Sequence, residues 1–246
     1  MKKPLYKCCL FALLVGFVYT VNAQSKSSDD VYNKFIEIGN QDTSIKQYIH
    51  DLKPLLTIVK TDTTHLHILE GLTQVYTYNY PDSALPYAQQ ALQIAQKVNT
   101  VSELYACYYN SGEVFRILGD YSRAVDFFLK AYLYCQQLNN QLEIAYLNAV
   151  LSICYTNYGD YEKAQSAMYK SLAYFNKKLN SADSGLLQTV YIYAAELYEK
   201  KSQLDSAVYY GNKASQIDSN WAWIKIVLGD INVKINNCPK IPNKTR

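Results

Sequence analysis

The phrase GDYSRAVDFFLKAY begins at Gly119 and returns forty residues later, from Gly159, as GDYEKAQSAMYKSL. Weaker copies read PDSALPYAQQAL from Pro81 and LDSAVYYGNKAS from Leu204, and all four keep an alanine: Ala84, Ala124, Ala164 and Ala207. A chain that repeats itself at intervals of 40, 40 and 43 residues is restricted to architectures in which one supersecondary unit stacks on the next.

The unit is legible from its periodicity. In the second copy Tyr108, Ser111, Gly112 and Phe115 lie at i, i+3, i+4 and i+7, one face of a helix; after a break at Gly119-Asp120, a second stripe runs through Tyr121, Ala124, Phe128 and Ala131. Two helices joined by a tight turn follow. Gly119 and Gly159 suit the left-handed backbone that ends a helix, while Asp120 and Asp160 suit the cap that begins the next. Small residues inside the stripes, Gly112 and Ala195 on first helices and Ala124, Ala164 and Ala207 on second helices, let two backbones approach while Phe115, Tyr155 and Tyr198 fill the remaining space. The 25 tyrosines of the chain then need no sugar-stacking site to explain them, since Tyr108, Tyr121, Tyr155, Tyr161, Tyr191 and Tyr198 fall at packing positions.

With these residues in place the chain resembles the tetratricopeptide repeat (TPR) family. The second copy matches the family pattern through Tyr108, Gly112, Phe115, Gly119, Tyr121, Ala124, Phe128 and Ala131. The third keeps Tyr155, Gly159, Asp160, Tyr161 and Ala164 but has Asn148 and Ser171 at positions usually apolar and alanine. The first and fourth keep mainly the second-helix pattern, Ala84, Ala88 and Ala91, then Ala207, Gly211 and Ala214. The period exceeds the family's ~34 residues by about six, which one extra turn or so of helix would absorb. That long-period form is similar to the repeat regions ahead of bacterial sensor histidine kinases and helix-turn-helix regulators. The resemblance implies an all-α fold: a right-handed superhelical TPR solenoid of antiparallel helix pairs with N- and C-terminal capping helices.

Domain organisation follows. Residues 1–23 carry Lys2, Lys3 and Lys7, an apolar run from Cys8 to Val21 and the small-residue ending Val21-Asn22-Ala23, the pattern of a secretory signal peptide cleaved after Ala23. The run is shorter than the roughly 20 residues that a spanning helix needs. Residues 24–62 read as capping helices, the second bent or ended near Pro54. Four repeats follow at about 63–99, 101–139, 141–180 and 183–218, then a capping helix at 219–236 and a loose tail at 237–246. Export predicts a periplasmic or cell-envelope location in a bacterium.

Removing the leader's three lysines leaves 21 basic and 21 acidic side chains, so no charge excess points to nucleic acid or an anionic membrane surface. Cys107, Cys135, Cys154 and Cys238 form no CxxC pair; an exported chain could oxidise them, but Cys107, Cys135 and Cys154 read as packing residues. Of the histidines, His65 and His67 point about 200° apart on a helix and cannot share a ligand, so no metal is expected. No phosphate loop, Gly-x-Ser-x-Gly elbow or His-Glu-x-x-His motif is present, and Glu196, Glu199 and Lys200 read as one exposed helix face, solvated or locally paired. No catalytic residue and no cofactor are assigned.

Binding is the remaining reading. In solenoids of this kind first helices line a concave groove. The family register places Gln74, Tyr109, Glu113, Arg116, Tyr146, Ile153, Thr156, Tyr193 and Glu196 there, a mixture of tyrosines and both charges that suits a protein or peptide partner. One known use of the fold clamps a C-terminal carboxylate; only Asn110 fits that requirement, with Glu70, Gln74, Tyr146 and Val150 in the other places, so no carboxylate clamp is expected. The leading expectation is an exported scaffold. The alternative is a ligand- or peptide-sensing module that, with no output domain expected after Arg246, acts on a separate membrane signalling partner such as a histidine kinase.

Overall fold

A computed structural model describes residues 30–40, 44–177, 184–219 and 222–237. The leader, the cleavage position after Ala23, Cys238 and the tail beyond Asn237 lie outside the described residues. Every element among the described residues is a helix: α1 (Asp30–Asn40), α2 (Ile45–Leu52), α3 (Leu55–Ile58), α4 (Asp62–Asn79), α5 (Pro81–Val98), α6 (Val101–Ile117), α7 (Tyr121–Gln137), α8 (Gln141–Tyr158), α9 (Tyr161–Phe175), α10 (Ser184–Lys200), α11 (Leu204–Ile217) and α12 (Ala222–Asn237). The first helices of the repeats are α4, α6, α8 and α10; the second helices are α5, α7, α9 and α11. The chain divides into two compact units, Met1–Gln141 and Leu142–Arg246.

The turns obey the repeat. Gly119 and Gly159 have φ of +79° and +93°. At each, the next residue's N–H reaches back five residues, from Asp120 to the Phe115 carbonyl and from Asp160 to the Tyr155 carbonyl, both at 2.9 Å. The fourth copy closes the same turn with Ser202 in the left-handed place (φ +58°) and a bond from Gln203 N–H to the Tyr198 carbonyl at 2.8 Å. Asp120 and Asp160 then accept from the N–H groups of Arg123 and Lys163 at 3.0 and 3.1 Å, starting α7 and α9. Both carboxyls are held below the usual range, Asp120 chiefly by that backbone bond and Asp160 chiefly by the Lys163 ammonium. The same two cations lie over an aromatic in the last turn of the preceding helix: the Arg123 guanidinium sits 4.3 Å above Phe115, and the Lys163 ammonium 5.6 Å from Tyr155.

In the first unit, α1 to α3 cover α4. The helix breaks at Pro54 between α2 and α3. One core joins Tyr48, Leu52 and Leu55 to Ile68, Leu72 and Val75 of α4 and to Ala84 and Ala88 of α5. A second joins Leu66 and Leu69 to Ala91, Ile94 and Ala95 and to Leu104 and Cys107 of α6. In the second unit the Ser152 hydroxyl of α8 donates to the Ala164 carbonyl of α9 at 2.7 Å, and the Gln188 amide of α10 donates to the Ala214 and Asp218 carbonyls at 3.0 Å, closing the end of α11. Cys107, Cys135 and Cys154 are buried thiols.

The tyrosines divide into two roles. Tyr76 stacks on Tyr87, Tyr108 on Tyr134 and Tyr198 on Tyr210, each pair joining the first and second helix of one repeat at 5.2 to 5.5 Å between ring centroids. Tyr161, expected at a packing position, is instead exposed beside the cap of α9, where the turn leaves its ring at the surface.

Close approach is set by Gly112. A Cβ there would lie 2.7 Å from the ring of Phe128, which is fully buried and cannot withdraw. Gly112→Ala gains about 1 kcal/mol of helix propensity, but overpacking of this kind costs about 1–3 kcal/mol, so net destabilisation in urea unfolding is expected. Gly211→Ala is the contrast. Its Cβ would meet only the mobile end of half-buried Leu228, and its unfolding midpoint should stay near that of the parent.

Candidate functional site

The first helices are buried on more than the face that meets their second helix. α4 encloses Thr64, His67, Glu70, Thr73 and Thr77 along with its aliphatic residues, and α6 encloses Asn110, Ser111 and Glu113. Burial of such groups is tolerable only when each is hydrogen-bonded. The hydroxyls are bonded within their own helix: Thr73, Thr77, Ser111 and Thr156 each donate to the carbonyl four residues back at 2.6 to 2.8 Å.

The longer polar side chains pair between consecutive first helices instead. His67 Nε2 lies 3.3 Å from Glu103 Oε1, and the Cys107 thiol donates to Glu70 Oε1 at 3.4 Å. Further along, the Gln74 amide donates to Asn110 Oδ1 at 3.5 Å and the Tyr78 hydroxyl donates to Glu113 Oε2 at 2.7 Å. The partners stand 35 to 37 residues apart. Both members rise in number together, so α4 and α6 run parallel and one helix face of each contributes a polar row.

Charge in the row is unevenly compensated. Burial pushes the Glu113 carboxyl up, but the Arg116 guanidinium, donating from two nitrogens at 2.8 Å, and the Tyr78 hydroxyl outweigh it and leave the group below its ordinary range. Glu70 has no such cation among the described residues. Burial first, and the Glu103 carboxylate second, hold it well above the ordinary value, with only the Cys107 thiol opposing them. The Cys107 thiol is itself pushed far up by burial and by Glu70.

The residues assigned to the groove divide accordingly. Gln74, Arg116, Tyr146 and Glu196 are half-buried. Tyr109, Glu113, Ile153, Thr156 and Tyr193 are buried. The Tyr109 ring lies 5.6 Å from Phe128, and Tyr193 meets Trp223 of α12 edge to face at 5.5 Å. In the first unit Gln74, Glu113 and Arg116 belong to the row; in the second, Tyr146, Ile153 and Thr156 share α8 while Tyr193 and Glu196 share α10. Asn110, the single residue suited to a carboxylate clamp, gives its oxygen to Gln74.

One reading needs correction. Glu199 is not part of a solvated face with Glu196 and Lys200 but is buried and paired with Lys234 of α12, 35 residues on, because α12 lies against α10 as another first helix would. The row itself was missed for the same reason. Each of its pairs joins two copies of the repeat, so a scan along one helix passes over it; the available signal was polar residues recurring 35 to 37 residues apart beside the apolar stripes.

Residues 41–222 match the model of the family described as the SusR N-terminal TPR domain. The crystal structure of BtubC (BKLC) from P. vanneervenii is similar with a TM-score of 0.64 at 15% identity, over 100% of this chain and 97% of that one. The apo form of RapI gives 0.64 at 18% identity, over 84% of each chain. A Rap protein complexed with Competence and Sporulation Factor gives 0.62 at 17%, over 89% of this chain and 74% of that one. At such identities the likeness is one of fold. No curated protein matches significantly.

The Glu113 pair yields a pH test. Its folded-state value is lowered, so its stabilisation is present above the ordinary glutamate value of 4.5 and is lost as pH falls through the lower folded value. Glu113→Gln should cost about 2 kcal/mol at neutral pH. The gap from the parent in unfolding free energy should close as the pH drops below that ordinary value, whereas a gap independent of pH would assign the cost to packing.

Proposed function

The chain belongs to the SusR N-terminal TPR domain family through residues 41–222, and on that premise we propose that it is an exported scaffold binding a protein or peptide partner along the inward faces of its first helices. The observation that carries this reading is the polar row of α4 and α6. Helices that needed only to stack would bury apolar side chains there, because a buried polar group contributes little even when fully paired and costs about 1–3 kcal/mol when it is not. Fixed donors and acceptors, by contrast, lower the ordering cost of recognition. The Glu113–Arg116 pair, held further by Tyr78, is a prepared charged element of this kind.

The half-buried members Gln74, Arg116, Tyr146 and Glu196 are the positions a partner meets first. A Rap protein of similar fold has been solved with Competence and Sporulation Factor, which supports partner uptake as a use of such arrays, although fold alone does not fix function. The leader pattern of residues 1–23 supports delivery to the periplasm or cell envelope. A non-catalytic role accords with the absence of any catalytic motif in the sequence.

The second reading is a sensing module that acts on a separate membrane signalling partner such as a histidine kinase. It is favoured by the long period of the repeat and by a family named for an N-terminal domain. No helix among the described residues is long and apolar enough to cross a membrane; in this reading the span and the output belong to the partner.

Photoreactive residues at Gln74, Arg116, Tyr146 and Glu196, activated in the native cell envelope, test both. One polypeptide captured from first-helix positions in both units, and not from the exposed second-helix controls Leu133 and Tyr169, is the expected result. A membrane kinase as that polypeptide would select the second reading; capture from the controls alone would refute both.

A further inference from the structure

We propose that His67, Glu70 and Glu103 form a binding site for a single divalent cation of the zinc class, bridging the N-terminal parts of α4 and α6. Their ligand atoms all lie within 4.8 Å of one another, from one residue on the first turn of α6 and two at i and i+3 on α4. The separation of 3.3 Å between His67 Nε2 and Glu103 Oε1 is about the edge of a tetrahedron whose metal–ligand bonds are near 2.0–2.1 Å, as at zinc bound by imidazole and carboxylate. One imidazole and two carboxylates are a donor set that this ion accepts, and the fourth position would be left to water.

The surroundings point the same way. His67 and Glu70 are buried, and Glu103 nearly so. Neither carboxylate forms an ion pair with a lysine or arginine among the described residues. Glu103 Oε2 is buried with no hydrogen-bond partner, while its other oxygen faces His67. A carboxylate with one oxygen shielded from water and unmatched is costly, and a divalent ion between the three ligands would supply Glu103 with the positive charge that it lacks. Cys107 belongs to the outer shell, where its thiol donates to Glu70 Oε1 and orients that carboxylate. Every other polar pair of the row is complete without an ion; this end alone combines a histidine, two acids and an orphaned oxygen.

The test is zinc chloride titrated into the metal-stripped chain by calorimetry, with the thermal unfolding midpoint followed in parallel. One equivalent should bind saturably and raise the midpoint. Affinity should fall at least ~10-fold in His67→Gln and in Glu103→Gln, and should be unchanged when the more exposed His50 and His65 are replaced by glutamine. Zinc-edge X-ray absorption on the unmodified loaded chain supplies a readout that does not depend on a variant folding, and should show a shell of nitrogen and oxygen only. Absence of saturable binding, binding that survives His67→Gln and Glu103→Gln, dependence on His50 or His65, or sulfur in the first shell would overturn the assignment.

Discussion

The contact of Gly112 with Phe128 is the constraint on which the arrangement of its repeat rests. A phenyl ring of no exposure occupies the volume where a Cβ would stand, so α6 and α7 approach as closely as backbone and ring allow. Ala84, Ala124, Ala164 and Ala207, with no exposed surface, repeat the device with other residues. Packing of large against small leaves few alternative registers, because interiors of native density have no room for a ring that slips by one turn. Turn geometry enforces the same register from outside, through left-handed residues at 119, 159 and 202.

Once the pairs α4–α5 and α6–α7 are locked, the register of α6 against α4 is fixed. Residues 35 to 37 apart then meet side by side, and the chain uses that coincidence for its polar side chains. Glu199 with Lys234 obeys the same interval in the second unit. The compensation differs along the row. At one end Glu113 has a guanidinium and a phenol and keeps its charge; at the other Glu70 and Glu103 face a histidine and a thiol, with no lysine or arginine among the described residues paired to either. That asymmetry separates a prepared recognition element from a candidate cation site, although both arise from the same pair of helices.

How far the sequence revealed this depends on whether the information lies within one copy or between two. Helix pairing, the Gly119 and Gly159 turns and the Asp120 and Asp160 caps are local signals, each confined to a few residues, and each was legible. Ser202 in a left-handed turn was not, because only its place in the repeat, not its residue type, marks it. Burial of Glu113 and Tyr193 escaped a reading that placed them in the groove, since a first helix in an array meets the next helix of its layer as well as its own second helix; Tyr109 is covered by Phe128 of its own second helix. The pairing of His67 with Glu103 needed the α4–α6 register, which no comparison of His65 with His67 along one helix contains.

A double-mutant cycle between Gly112→Ala and Phe128→Leu measures the central contact directly. If the ring fills the space that a Cβ would take, the smaller leucine relieves the clash, and the double variant should be more stable than the sum of the single effects by about 1–2 kcal/mol, within the range seen for touching residues. Additive effects would mean that the two positions do not touch, and the packing on which the polar row depends would have to be assigned elsewhere.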